Sequence, residues 1–261
     1  MTDTQVSELQ GRCELLRSLH RPGDPLLLPN VWDAASAKAV VAAGYPVVAT
    51  SSGAVAAGLG YEDNEGAPAD EMLAAAARIV RAVDVPVTMD AEAGYGMEPA
   101  DLVAALRTVG AAGCNLEDTD HRAGGIRAAD RQANRLAEVR RAAAAADYPL
   151  VINARIDVFL GPLIADADAD ELAQHVPEAI ERATAYLEAG ADCVYPIGLW
   201  EAGALRRFVT EVNGPVNVVR LPPTPSTAEL AALGVARVSW GPFLHQAAMD
   251  RFAEELASLR E

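Results

Sequence analysis

Positive charge is scarce in this chain: 21 lysines and arginines stand against 37 aspartates and glutamates, a formal net charge of −16. Such a surface repels polyanions, so neither nucleic acid nor an anionic membrane is an expected partner. A small anionic substrate needs only a local positive site and stays open. Cysteine is equally sparse. Cys13, Cys114 and Cys193 are odd in number, far apart and set in apolar or helical surroundings, so no disulfide framework is expected and a reducing compartment is. No apolar run reaches the roughly 18 residues of a membrane span. The N-terminus lacks a basic segment followed by an apolar one, and the expected location is therefore cytoplasmic. Aromatics are few at 5%, yet a hydrophobic content of 51% rules out a disordered chain.

What the sequence does carry is alternation. Strand candidates at 25–30, 46–51, 85–90, 113–117, 150–155, 192–196, 216–220 and 236–240 are each followed by a helix-compatible stretch, at 33–43, 68–83, 98–109, 130–145, 173–189, 200–211, 226–233 and 242–259. An extra helix is predicted ahead of them near 6–19. Gly44, Gly110, Gly190 and Gly234 stand where helices should end, because glycine enters the left-handed conformation of a helix C-terminus freely. Eight strand–helix units in strict alternation demand parallel strands and right-handed crossovers, and they close into a (β/α)8 barrel, one domain over 1–261. A doubly wound open sheet is the alternative, but its phosphate-binding glycine fingerprint after the first strand is absent. Residues 166–171 read as an acidic surface loop.

In such a barrel the C-terminal ends of the strands carry the site. They collect Asn30, Trp32 and Asp33, then Ser51, Ser52 and Gly53, then Asp90 and Glu92, then Asn115, Glu117 and Asp118, then Asn153, Arg155 and Asp157; the later strands give Tyr195, Arg220 and Ser239. The centre of this set is Asp90-Ala-Glu-Ala-Gly-Tyr-Gly96. Strand alternation places Thr88, Asp90 and Glu92 on one face, Asn115 with Glu117 on one face, and Asn153 with Arg155 on one face. Carboxylates gathered at the end of a buried strand repel one another and resist desolvation unless a cation neutralises them, for which Mg²⁺ is the usual ion. Asp90, Glu92 and Glu117 facing Arg155, with an anionic substrate between them, would form an alternating charge network.

The segments Asn30-Val-Trp-Asp-Ala-Ala-Ser36, Ala49-Thr-Ser-Ser-Gly-Ala54, Leu59-Gly-Tyr-Glu-Asp63, Pro86-Val-Thr-Met-Asp-Ala-Glu-Ala-Gly-Tyr-Gly96, Gly113-Cys-Asn-Leu-Glu-Asp118, Ile152-Asn-Ala-Arg-Ile-Asp157 and Ala189-Gly-Ala-Asp192 stand in an order that resembles the isocitrate lyase and phosphoenolpyruvate mutase superfamily, over nearly the whole chain. The resemblance implies a Mg²⁺-dependent barrel enzyme, with Mn²⁺ as a substitute, that makes or breaks C–C or P–C bonds beside a 2-oxo or 2-hydroxy carboxylate, often through an enolate. It implies Asp90 as the direct metal ligand, with Asp63, Glu92 and Glu117 holding the metal's waters. Ser52, Gly53 and Ala54 would offer hydroxyl and backbone N–H groups to the substrate carboxylate, and Arg155 would clamp a substrate oxygen. Asn115, Tyr195 and Trp32 complete the substrate side, Trp32 as a wall. The last helix, 242–259, is commonly exchanged between subunits in this superfamily, which implies homodimers or homotetramers.

The pattern also departs from that superfamily. Its lyases carry a Lys-Arg/Lys-Cys-Gly-His segment after the fourth strand, with the cysteine as acid/base; here Thr119-Asp-His-Arg-Ala-Gly-Gly125 follows Glu117-Asp118. Its mutases carry Lys-Thr-Asn-Ser in that loop and a histidine after the sixth strand, where this chain has Val194-Tyr-Pro-Ile197. His121 is therefore the candidate acid/base, its ordinary pKa near 6.5 suiting the task; Tyr95 and Tyr195 are alternatives. His20, His175 and His245 read as surface or packing residues, and Arg127 and Arg131 as solvated or anion-guiding. Gly124 and Gly125 would let the loop move. The expected activity is a lyase or decarboxylase, with a phosphonate-type mutase or hydrolase, or a keto-acid-binding barrel without catalysis, as alternatives.

Overall fold

The computed structural model describes residues 2–259. A first helix, α1 (Asp3–Ser18), precedes the repeating units and buries Leu9, Cys13 and Leu16. Leu16 packs where a β-carbon on Gly113 would come within 2.8 Å of its Cδ2, so α1 seals the N-terminal end of the sheet. Then come β1 (Leu26–Leu28), β2 (Asn30–Val31), α2 (Ala34–Ala42), β3 (Val48–Thr50), α3 (Ser52–Leu59), α4 (Ala69–Val80), β4 (Val87–Asp90), α5 (Pro99–Val109), β5 (Gly113–Glu117) and α6 (Ala129–Ala145). The second half runs β6 (Val151–Ile156), α7 (Leu160–Ile164), α8 (Ala169–Ala173), α9 (Val176–Glu188), β7 (Cys193–Pro196), α10 (Ala202–Glu211), β8 (Asn217–Val219), α11 (Thr227–Ala232), β9 (Arg237–Ser239) and α12 (Phe243–Ser258).

All strand pairs are parallel, as the alternation requires. They form a six-stranded run β2-β3-β4-β5-β6-β7 and a three-stranded run β1-β9-β8. The order and parallel pairing are those of a (β/α)8 barrel, with the ladder left open at two junctions between the runs. The single bridge Val194–Val216 joins β7 to β8. Pro29 divides the predicted first strand, because proline has no N–H to give to a ladder; its first piece pairs with β9 and its second with β3. The predicted glycine stops hold, with Gly44, Gly110, Gly190 and Gly234 all at φ between 83° and 100°.

Three expectations change. The predicted gap between strand and helix at 52–67 contains α3, capped by Ser51 and closed by the left-handed Gly60. The predicted helix at 173–189 begins at Val176, behind the short α8. Part of the acidic stretch 166–171 is helical, because Asp168 and Glu171 form a reciprocal capping pair. The three cysteines are buried and free, and no described helix is long and apolar enough to cross a membrane.

The barrel's outer layer is packed by aliphatic residues such as Leu102, Leu106, Leu136 and Val139, each worth about 1.5–3 kcal/mol when fully buried. The last helix, like the short α7, buries none of its residues. Phe243, Met249, Phe252 and Leu256 lie exposed along α12.

Candidate functional site

The register of the strands sets the layers of the interior. Asp90, Asn115, Asn153 and Cys193 lie at one level, and Glu117, Arg155 and Tyr195 at the level above. At the end of β4 the Asp90 N–H donates to Thr50 Oγ1 at 2.8 Å, while Asp90 Oδ2 accepts the Ser52 N–H at 3.1 Å. Ser52 is the first residue of α3, so the positive end of that helix points at Asp90. Ser51 Oγ takes the Ala54 N–H, leaving the Gly53 N–H and the Ser52 hydroxyl for another partner. Asp63 lies over Gly53, its Oδ2 only 2.8 Å from where a β-carbon would stand, so a larger residue there would have to displace the Asp63 carboxylate. Asp90 Oδ1 is buried without a partner.

Glu92 does not continue the alternation of β4. Its φ is +48°, so a left-handed turn beyond the strand, and not the strand's alternation, sets the direction of its side chain. Asn64, Glu65 and Tyr95 also have positive φ, so four of the six non-glycine residues in this region of backbone space stand in two facing loops. Such conformations cost about 1–3 kcal/mol each and persist where surroundings force them. Here the force is reciprocal. The Glu65 N–H donates to Glu92 Oε1, and the Tyr95 N–H donates to Glu65 Oε1, both at 2.5 Å. Burial pushes Glu92 up to about 7, against the Glu65 N–H that favours its charged form, and the nearby Asp90 and Asp63 push the same way as burial.

Above Asn115, Glu117 sits between His121 and Arg155: its Oε1 is hydrogen-bonded to His121 Nε2 at 2.6 Å, and its Oε2 is ion-paired with Arg155 Nη1 at 2.7 Å without hydrogen-bond alignment. Burial raises Glu117, and Arg155 and His121 oppose that; His121 is raised by the same contact. Arg155 forks onto Asp157 through Nε at 2.7 Å and Nη2 at 3.0 Å. Asp157 in turn accepts Thr119 Oγ1 at 2.5 Å. Behind it Asp118 receives the Asp157 N–H, the Tyr186 hydroxyl and Arg182, and burial lifts its pKa to about 6. The loop carrying His121 is a tight hairpin, with a Thr119–Ile126 bridge and the Asp120 N–H on the Gly125 carbonyl at 2.8 Å. Arg122 lies flat on Gly96, its guanidinium filling the space that a β-carbon there would need.

The sequence placed Asp90, Glu92, Glu117, Asn115, Ser52, Gly53, Ala54, Asp63, Arg155, His121 and Tyr195 together, and the fold brings them to one barrel mouth. Two details differ. Arg155 faces Glu117 and Asp157, whereas Asp90 and Glu92 are held by backbone N–H groups. Trp32 stands edge-on to His245 at 5.0 Å and lines an outer groove with Val55, Leu59, Ala75 and Arg78. Arg127 is taken by Asp120 and Gln132. Residues that sequence reasoning passed over are Thr50, Glu65, Thr119, Arg122 and the buried Arg182. Asp157, collected with Arg155 at the end of the fifth predicted strand, is the group that holds that guanidinium.

No three acidic, histidine or cysteine side chains converge as ligands among the described residues. The arrangement fits a metal that keeps its waters and takes one direct carboxylate, as Mg²⁺ does. The unpartnered Asp90 Oδ1 is the available direct donor, and Glu92, Glu117 and Asp63 surround it.

A parallel α/β barrel with acidic groups and an arginine at its C-terminal mouth is the class this geometry defines. Residues 16–260 match the phosphoenolpyruvate phosphomutase family, and the chain belongs to it. It is 30% identical over 259 residues to 2-methylisocitrate lyase of Escherichia coli K12, covering 92% of this chain and 84% of that one. An uncharacterized Mycobacterium tuberculosis protein is 34% identical over 85% of this chain and 80% of its own. A Burkholderia cenocepacia J2315 structure provisionally assigned as a phosphonomutase superposes with TM-score 0.87 at 42% identity, covering 94% of this chain and 99% of that chain.

Proposed function

We propose that this protein is a Mg²⁺-dependent lyase or decarboxylase that cleaves or forms a C–C bond beside a 2-oxo-carboxylate, through an enolate. The observation that carries this reading is His121 seated 2.6 Å from Glu117. The cysteine of the related lyases is absent from this loop, and the His121–Glu117 pair supplies a proton-transfer group in its stead. The metal would be held by Asp90 directly and by Glu92, Glu117 and Asp63 through water. When bound it supplies Lewis-acid stabilisation of the enolate oxygen. The Gly53 N–H and Ser52 hydroxyl, at the positive end of α3, bind the substrate carboxylate. Arg155, fixed by Asp157, keeps unused Nη hydrogens for a substrate oxygen. The His121 hairpin excludes water from the carbanionic centre. Cytoplasmic location accords with the three free cysteines.

Incubation with Mg²⁺ and a panel of 2-hydroxy di- and tricarboxylates, oxaloacetate and phosphonopyruvate tests this. Keto acid release that falls at least a hundredfold in His121→Ala is expected. Saturable keto acid binding without turnover would instead leave a binding module. Asp90→Ala should abolish Mg²⁺ binding in calorimetry, and unchanged affinity would remove the metal site. The likeness to the Burkholderia phosphonomutase-type structure favours phosphonate chemistry as a second reading, which phosphate release from the panel would establish. The exposed apolar side chains of α12 support exchange of this helix in a homodimer or homotetramer. A monomer by light scattering at micromolar concentration would remove that assembly.

A further inference from the structure

Beneath the mouth, at the start of β9, Arg237 is 1% exposed. It forms no ion pair among the described residues, and its Nε and Nη1 have no partner. Its one bond is from Nη2 to Asn115 Oδ1, at 3.1 Å. A buried guanidinium without an anion costs the fold several times what an apolar side chain would, so its presence calls for a reason beyond stability.

The reason lies in the direction of an amide. A carboxamide presents an oxygen and a nitrogen of nearly equal size, and either can be turned toward a given neighbour. Arginine has donors only, so the Asn115 atom that faces it must be the oxygen. The same oxygen receives Asn153 Nδ2 at 2.8 Å, so Asn153 must present its nitrogen. That nitrogen also reaches Asn217 Oδ1 at 3.0 Å, and Asn217 Nδ2 then donates to Ser239 Oγ at 3.1 Å. One cation thus fixes the polarity of a chain that crosses four strands. With both donors on its oxygen, Asn115 turns its Nδ2 away from the floor. Nothing among the described residues accepts from it. Asn115 is paired in register with Asp90 and stands two residues before Glu117.

We infer that Arg237 is a positioning residue for the substrate: by occupying Asn115 Oδ1 it presents Asn115 Nδ2 to the mouth as a donor to an anionic substrate oxygen. This rests on reading the mouth as a site for a carboxylate or its enolate. The adjacent thiols do not neutralise the guanidinium, since burial holds Cys193 and Cys114 up to about 12; Asp90 acts on it only through space, with no direct contact. Its charge therefore persists below the site.

Two measurements test the inference. In a neutron diffraction map of the wild-type protein, which separates ND₂ from oxygen, Asn115 should show its ND₂ toward the mouth; an oxygen there overturns the inference whatever the protein binds. The second is calorimetry with oxalate and Mg²⁺, oxalate serving as a planar dianion of enolate shape. Wild-type binding supports the site itself, and its absence counts against the proposed function while leaving the neutron result decisive here. Asn115→Ala and Arg237→Met should each weaken oxalate about tenfold or more, the loss of one charge-assisted bond. The double variant should bind as weakly as Asn115→Ala alone, and Arg237→Lys, also donor-only, should stay within about threefold of wild type. Additive losses, or wild-type affinity in Arg237→Met, would refute the role.

Discussion

Arg155 at the mouth and Arg237 at the floor point into the same barrel, yet their surroundings are opposite in charge. Arg155 has Asp157 across its fork and Glu117 on its remaining nitrogen. Arg237 has one neutral amide oxygen. Buried arginines elsewhere resemble the first: Arg182 reaches Asp118 and Glu178. The difference teaches that the mouth is assembled by mutual neutralisation and the floor by hydrogen-bond direction. An anionic substrate at the mouth must therefore compete with protein carboxylates for Arg155 unless a cation offsets them. The floor holds an uncommitted positive charge beneath that competition.

The largest expected break is at the mouth. Arg155→Ala leaves Glu117 and Asp157, each 2% exposed or less, without their cation. Removing one partner of a buried pair costs about 3–5 kcal/mol. Urea denaturation at pH 7 should reveal a loss of that order. Arg155→Lys should recover only part of it, because a single ammonium cannot reproduce the fork onto Asp157. A loss under about 1 kcal/mol in Arg155→Ala would mean that these contacts are not what holds the mouth.

How far the sequence foretold each region follows from the same contrast. The barrel was legible because alternation and glycine stops are local signals, and the mouth because its polar residues end successive strands. α3 was not, since Ser52–Leu59 is built of small residues with no polar and apolar faces to compare. Glu92 was assigned to the site for the wrong reason: parity pointed inward, but a left-handed turn delivers it. Trp32 follows the first strand as the candidate site residues follow theirs, and its ring stands edge-on to His245 of α12. Arg237 was missed altogether. An arginine that opens a strand reads as a solvated flank, and its shared parity with Ser239 was the unused clue.

The next effect sharpens the description of the floor. His20 is 8% exposed, with Nδ1 2.8 Å from the Leu16 carbonyl; the carbonyl can only accept, so Nδ1 carries the proton and Nε2 is left bare. Burial, and then the charge of Arg237, depress its pKa from 6.5 to about 4. The unfolded chain thus binds a proton that the folded chain refuses between those values. Stability is full above about pH 6.5 and declines as pH falls toward 4, by on the order of 3 kcal/mol in total. His20→Asn keeps a donor for Leu16 and has no such proton. Its urea-unfolding free energy should therefore rise relative to wild type as pH falls across this window, since only the wild type loses stability there; parallel pH curves for the two proteins would show that His20 does not titrate in this way.

The smallest effect in magnitude has the opposite sign to the first. Arg237→Met deletes a cation that no carboxylate contacts, and the Asn115 and Asn153 amides can still pair whichever way each is turned. Replacing buried charge by an apolar group of similar volume is commonly neutral or stabilising, here by about 1 kcal/mol. The same change removes the second-largest of the three influences that depress His20, so its pKa should rise toward the ordinary value and the acid loss between pH 6.5 and 4 should shrink. Burial and the charge of Arg17 still act on the imidazole, so the loss does not vanish. If Arg237→Met destabilises the fold as strongly as Arg155→Ala does, with the steep acid dependence unchanged, then the floor too is held by its charge. The separation between a mouth built on ion pairs and a floor built on amide direction would then collapse.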